Sequence, residues 1–124
     1  MEKYRRLKRS EDFRRVMSAG RGWSDHRLVI KKGAGGEACS RVGIVASKKV
    51  GGAVVRNLIR RRLKEIMRQL AICPGYDIVV IARQVARKAS YEELAQSVHK
   101  LTGRAGLVIK DEKSGSLADK AVSK

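Results

Sequence analysis

Aromatic residues are scarce in this 124-residue chain: one phenylalanine, one tryptophan and three tyrosines. Recognition that rests chiefly on ring stacking is therefore excluded. Cysteine is limited to Cys39 and Cys73, which form neither a CxxC pair nor a zinc-type spacing. They read as reduced thiols of a cytoplasmic protein. No apolar run approaches the roughly 18 residues that a membrane-spanning helix needs. The opening segment, MEKYRRLKRSEDF, has no apolar stretch behind its charges and so reads as no secretory signal. Acids are few as well, 12 against 29 lysines and arginines.

That last deficit leaves a net charge of +17 on a chain of single-domain length. Such an excess repels itself in a compact state and calls for a polyanionic partner. With no membrane segment in view, nucleic acid is the partner expected.

Local patterns give the order helix, strands, helix, strand, helix, an α/β packing around a small sheet. Residues 10–19 predict a helix, with Ser10 as its cap, Glu11 and Asp12 at its positive end, Phe13, Val16 and Met17 on one face, and Gly20 as its stop. Residues 26–32 and 41–47 predict strands separated by a glycine-rich turn, residues 33–39. Residues 77–83 (DIVVIAR) carry four consecutive branched apolar residues, as a strand buried on both faces should. In the last helix Ser90 and Glu93 match a capping box, and Tyr91, Leu94, Ala95, Val98 and Leu101 recur at helical spacing. From Gly103 the pattern fades. One domain is thus expected over residues 1–103, followed by a disordered tail, residues 104–124.

The most informative segment is Lys48 to Arg68, with eight cations and one acid, Glu65. A helix over residues 53–70 places Ile59, Leu63, Ile66 and Leu70 within about 20° to 80° of Val55. Arg56, Asn57, Arg60, Arg61, Lys64 and Arg68 fall on the opposite side, between about 100° and 240°. Arg62 falls beside the apolar stripe, its stem expected along the core edge and its head in water. An ordinary solvated face mixes signs, whereas cations crowded at i, i+4 spacing repel one another unless a polyanion lies against them. Arginine suits bidentate phosphate contacts. Lys48 and Lys49, with Gly51 and Gly52, precede the helix end, where free amides favour small anions. GxxxxGK[ST] is absent, so a nucleoside-triphosphate loop is unsupported.

Groups for catalysis are missing. His26 and His99 read as surface histidines. The acids sit in pairs with structural explanations: Glu11–Asp12 at a helix start, Glu92–Glu93 in a cap, Asp111–Glu112 in the tail. No HExxH or GxSxG occurs. No catalytic residue and no protein-held metal site is expected. The chain is read as supplying binding, with the chemistry elsewhere.

Taken in order, Leu7-Lys8, Glu11-Asp12-Phe13, Arg41-Val42-Gly43, Ser47-Lys48-Lys49, the run from Val50 to Lys64, Asp77 to Arg83 and Tyr91-Glu92-Glu93 resemble the bacterial ribonuclease P protein family over about residues 5–102. The resemblance implies an α/β sandwich with a left-handed crossover around the basic helix. It implies a partner, the catalytic ribonuclease P RNA, and a substrate, precursor transfer RNA, whose 5′ leader is removed. Mg2+ held mainly by the RNA would activate the attacking water. Residue by residue, it assigns Arg56, Asn57, Arg60, Arg61 and Lys64 to RNA contact. Phe13, Met17 and Lys31 fall in a leader cleft between the first helix and the sheet. Leu58, Met17 and Lys31 depart from the commoner family residues: a basic residue, an aromatic and a tyrosine. Leu58 implies one phosphate interaction fewer. Met17 implies weaker stacking, and Lys31 a phosphate contact in place of a ring. A ribosomal or other structural RNA-binding protein would share the charge without the ordered motifs. A protein-only nuclease would need the acid–base groups that this chain lacks.

Overall fold

The computed structural model describes residues 4–35 and 39–108. Its elements are β1 (Tyr4–Arg6), α1 (Ser10–Ala19), β2 (Arg21–Ser24), β3 (Leu28–Ala34), β4 (Ser40–Ala46), α2 (Ala53–Arg68), β5 (Tyr76–Ala82), a 3-10 segment (Gln84–Lys88) and α3 (Tyr91–Arg104). The strands form one mixed sheet in the order β1-β4-β5-β3-β2. β4 and β5 are parallel neighbours joined by α2, and β3 runs antiparallel to β5.

Alternation along the strands divides the core between two faces. Ile78, Val80 and Ala82 of β5 align with Val42, Ile44 and Ala46 of β4 and with Leu28 and Ile30 of β3. This side packs with Ile59, Leu63, Ile66 and Met67 of α2 and with Leu94, Val98 and Leu101 of α3. The other side carries Val79, against which Leu7 and Val16 of the α1 layer are buried. Each fully buried Leu, Ile or Val contributes about 1.5–3 kcal/mol, so β5, covered on both faces, is the element the fold can least lose.

The expected helices and the strand buried on both faces are present, with local differences. Arg9, not Ser10, is the N-cap of α1, and no side chain caps that end. Gly20 ends α1 in extended backbone rather than a left-handed turn. A Cβ there would sit 2.5 Å from the Val16 carbonyl oxygen and 2.8 Å from that of Lys32, so close approach demands the glycine. β3 starts at Leu28, later than expected, because Asp25 Oδ1 accepts from the Arg27 and Leu28 amides, at 2.8 Å each, and makes residues 25–27 a turn. β3 then runs to Ala34, two residues into the expected turn, whose residues 36–38 lie outside those described. Ser90 Oγ accepts from the Glu93 amide and Glu93 Oε1 from the Ser90 amide, the reciprocal cap expected of α3.

The domain also outruns its expected boundary at residue 103. After α3, the Gly106 amide donates to Gly103 and the Leu107 amide to Thr102, with Gly106 at φ +67°. This left-handed closure turns Leu107 into the core, where it is fully buried, and pairs Val108 with Ile72. The remainder of the expected tail, residues 109–124, lies outside the described residues.

Candidate nucleic-acid interface

α2 is placed by its apolar stripe, and its other side carries the cations. Asn57, Arg61, Lys64 and Arg68 are exposed, as are Lys48 and Lys49 in the turn before the helix. That turn is pinned by Val50, fully buried, whose amide donates to the Ser47 carbonyl at 3.0 Å. Gly51 lies so near Val55 that a Cβ would come within 3.0 Å of its side chain. Arg60 is held in place: Nη1 donates to Asn57 Oδ1 at 3.1 Å and Nη2 to the Ala46 carbonyl at 3.3 Å. Arg56 is half-buried, and its Nε finds no hydrogen-bond partner among the described residues. Arg68 Nη1 lies 3.5 Å from Glu65, the helix's one acid. Arg62 turns away from this face, and its head donates to the Ala89 carbonyl at 3.2 Å rather than standing free in water.

The opposite side of the sheet is covered in part by α1. Phe13 meets β4 at Gly43 and packs against the cluster of Leu7, Val16 and Val79, as Val45 and Ile81 do. Met17, one turn on, is 41% exposed. Lys31 of β3 shares this side with Val79, its register partner. Its Nζ donates to the Met17 carbonyl at 2.9 Å, so it closes the C-terminal end of α1. Phe13, Met17 and Lys31 are thus brought together, and they are separated from the basic face of α2 by the thickness of the sheet.

α1 is tied to β4 and β5 by a cluster that the sequence does not foretell. Arg41 of β4 grips Asp77 of β5 bidentately, Nε to Oδ1 at 2.9 Å and Nη2 to Oδ2 at 2.7 Å. Arg41 Nη1 also donates to Asp12 Oδ2 at 3.2 Å, and Arg15 bridges Asp12 and Asp77. Asp77 is fully buried, so its charge depends on these partners. A second cation, Lys32, lies between the Trp23 and Tyr76 rings, 5.4 and 4.6 Å from their centroids, and donates to the Ala105 carbonyl at 2.6 Å. It fastens the end of α3 to β3.

His26 and His99 are both exposed, on the turn before β3 and on α3. Among the described residues, no three of His, Cys, Asp and Glu gather where a metal ion could be held. None of their helices is long and apolar enough to cross a membrane.

The family model described as Ribonuclease P matches residues 1–106. The ribonuclease P protein component of Roseiflexus castenholzii is 40% identical over 111 residues, which cover 87% of this chain and 91% of that protein. That of Dehalococcoides mccartyi is 39% identical, covering 96% and 100%. Among solved structures, the RNase P protein of Staphylococcus aureus superposes with a TM-score of 0.76 at 30% identity, over 84% of this chain and 97% of its own. The RNase P protein of Thermotoga maritima superposes with a TM-score of 0.69 at 29% identity, over 75% and 90%. The match over nearly the whole described domain shows that the chain belongs to the bacterial ribonuclease P protein family.

Proposed function

We propose that this chain serves as the protein subunit of ribonuclease P. It binds the RNA subunit through α2 and the turn before it. It holds the 5′ leader of precursor transfer RNA beside Phe13 and α1. The single observation carrying this reading is the separation of two unlike surfaces on opposite sides of one sheet. One is crowded with cations and suited to phosphates. The other, beside α1, offers one ring, one exposed thioether and one lysine, suited to a single strand whose bases are unstacked.

The chain's own part is binding and positioning. Asp12 and Asp77 are engaged by Arg15 and Arg41, so beside α1 these two are not a free carboxylate pair for acid–base work. The donor set among the described residues does not fit a protein-held magnesium ion. We therefore assign Mg2+ and the hydrolytic chemistry to the RNA subunit, and the place of work to the cytoplasm. Small anions are expected to compete at the basic helix. Nothing in the fold or in the relatives favours a ribosomal role.

The test is reconstitution with a bacterial ribonuclease P RNA. The complex should remove the leader at protein concentrations where neither component alone does so. Leader cleavage by protein freed of RNA, or no gain on reconstitution, would overturn the reading.

A further inference from the structure

Beside α2 lies a second cationic surface outside the basic helix. The 3-10 segment Gln84–Lys88 turns its small residues inward: Ala86 is fully buried and Ala89, just after it, is 6% exposed, both in the core beneath α2 and α3. Its long residues therefore point out. Arg87 and Lys88 are exposed, and neither makes an ion pair or a hydrogen bond with any described residue. Val85 beside them is half exposed. The nearest acids in sequence are Glu92 and Glu93. Glu93 is already engaged as the cap of α3 and as the partner of Arg27, 3.5 Å away.

The segment is also held rigidly against α2. Arg62, the one cation of α2 that leaves the basic face, donates to the Ala89 carbonyl. Arg61 precedes that donor in the chain, and Arg87 and Lys88 precede the acceptor. The segment and α2 are thus fixed to each other at one contact, with exposed cations next in sequence to both of its partners. Two unpaired cations beside a turn and helix that already carry eight raise the self-repulsion of the free protein. A polyanion lying over both elements would relieve it.

We propose that Arg87 and Lys88 form an accessory phosphate-binding surface that continues the basic face of α2 and is occupied by the backbone of the RNA subunit. The choice of RNA follows from the side of the sheet. Ala86 and Ala89 belong to the core shared with α2 and α3, whereas Phe13 lies on the other side. The RNA that covers α2 is therefore the one within reach. The inference rests on the function proposed above.

The experiment uses the full chain with a bacterial ribonuclease P RNA, comparing wild type, Arg87→Gln/Lys88→Gln and the charge-keeping Arg87→Lys/Lys88→Arg. Affinity is followed against salt concentration. Removing two phosphate contacts should make the slope of log affinity against log salt shallower by about 1.4–1.8, at about 0.7–0.9 for each contact. The charge-keeping variant should keep the wild-type slope. Thermal melting should be the same for all three, because both side chains point into solvent. Preference for precursor over mature transfer RNA in the reconstituted complex should not change. A wild-type slope in the glutamine variant sinks the inference. A loss confined to precursor binding overturns the assignment to the RNA subunit. Failure of the wild-type chain itself to bind the RNA would instead refute the underlying function.

Discussion

The Phe13 ring and Gly43 are in such close contact that a Cβ on residue 43 would stand 2.3 Å from Phe13 Cζ and 2.6 Å from Cε1. The glycine is what allows α1 to bring the tip of its aromatic ring against β4. Gly43→Ala should push the ring outward and strain the α1 layer, costing about 1–3 kcal/mol as overpacking does. Thermal or urea unfolding should register the loss. A stability equal to wild type would mean that α1 can shift to make room and that the Phe13–Gly43 contact does not fix its place.

Phe13→Ala tests the ring itself. Stacking of a base on an aromatic side chain is worth about 1–3 kcal/mol. The variant, reconstituted with ribonuclease P RNA, should therefore bind precursor transfer RNA roughly 5- to 150-fold more weakly, since each 1.4 kcal/mol is about tenfold. Mature transfer RNA, which has no leader, should bind as before. Equal losses for both ligands would point to a folding defect or to a leader path elsewhere.

How much of this is legible in the sequence depends on how local each signal is. α2 and α3 can be read because apolar spacing repeats over several turns, and the α3 cap because Ser90 and Glu93 are three residues apart. β1 and β2, with three and four residues, are too short for any period to show. The Arg41–Asp77 grip joins residues 36 apart and exists only because β4 and β5 pair in parallel with that register. No spacing rule along the chain encodes it. The end of α3 differs: Gly106 followed by an apolar Leu107 is a readable closing signal, masked by the polar composition that follows it. Phe13, Met17 and Lys31 emerge as a group from family resemblance rather than from periodicity, and only the fold brings β3 under α1.

Asp77 offers a test of the cluster that ties α1 to the sheet. Its carboxylate is buried and accepts from Arg41 and Arg15. Removing one member of a buried ionic group leaves its partners uncompensated, at a typical cost of about 3–5 kcal/mol. Asp77→Ala should lower the melting temperature by many degrees and loosen α1, which would show as faster amide exchange across residues 10–19. Asp77→Asn, which retains acceptor and shape, should lose less. Identical stability for both variants and wild type would show that the cluster does not hold α1.

Arg60 and Arg61 are adjacent in sequence but differently anchored. Arg60 bonds to Asn57 and to the end of β4, whereas Arg61 is exposed. Either alanine variant should flatten the salt dependence of RNA binding by about 0.7–0.9, the share of one phosphate contact. Arg60→Ala should also lower stability by about 0.5–1.5 kcal/mol, the usual net worth of a hydrogen bond, and Arg61→Ala should not. Unchanged slopes in both variants would remove this face from the RNA interface.

Asp25 supplies a pH dependence whose sign can be worked out. Burial disfavours its ionised form, but the neighbouring Ser97 hydroxyl, the Leu28 and Arg27 amides that donate to Oδ1, and the Lys100 ammonium outweigh this. They lower its pKa from 3.8 to about 2. The group lies in the turn between β2 and β3, with Lys100 Nζ 3.2 Å from Oδ2, so its charge ties that turn to α3. A depressed folded-state pKa means that the unfolded chain takes up the proton first as acid is added. The contribution of Asp25 is therefore complete above about pH 4 and is lost as pH falls from there through about 2. It amounts to about 2 kcal/mol. Other carboxylates titrate in the same window, so the measurable quantity is the difference between wild type and Asp25→Asn. The asparagine keeps an acceptor for the two amides and carries no titrating charge. The stability gap between the two proteins should be nearly constant from about pH 5 to 7, and narrow steadily between about pH 4 and 2. Urea unfolding at fixed ionic strength reads it directly, because salt would otherwise screen the Lys100 pair and imitate the trend. A gap that stays constant down to about pH 2 would mean that the carboxylate titrates normally and that the turn is held by its amide hydrogen bonds alone.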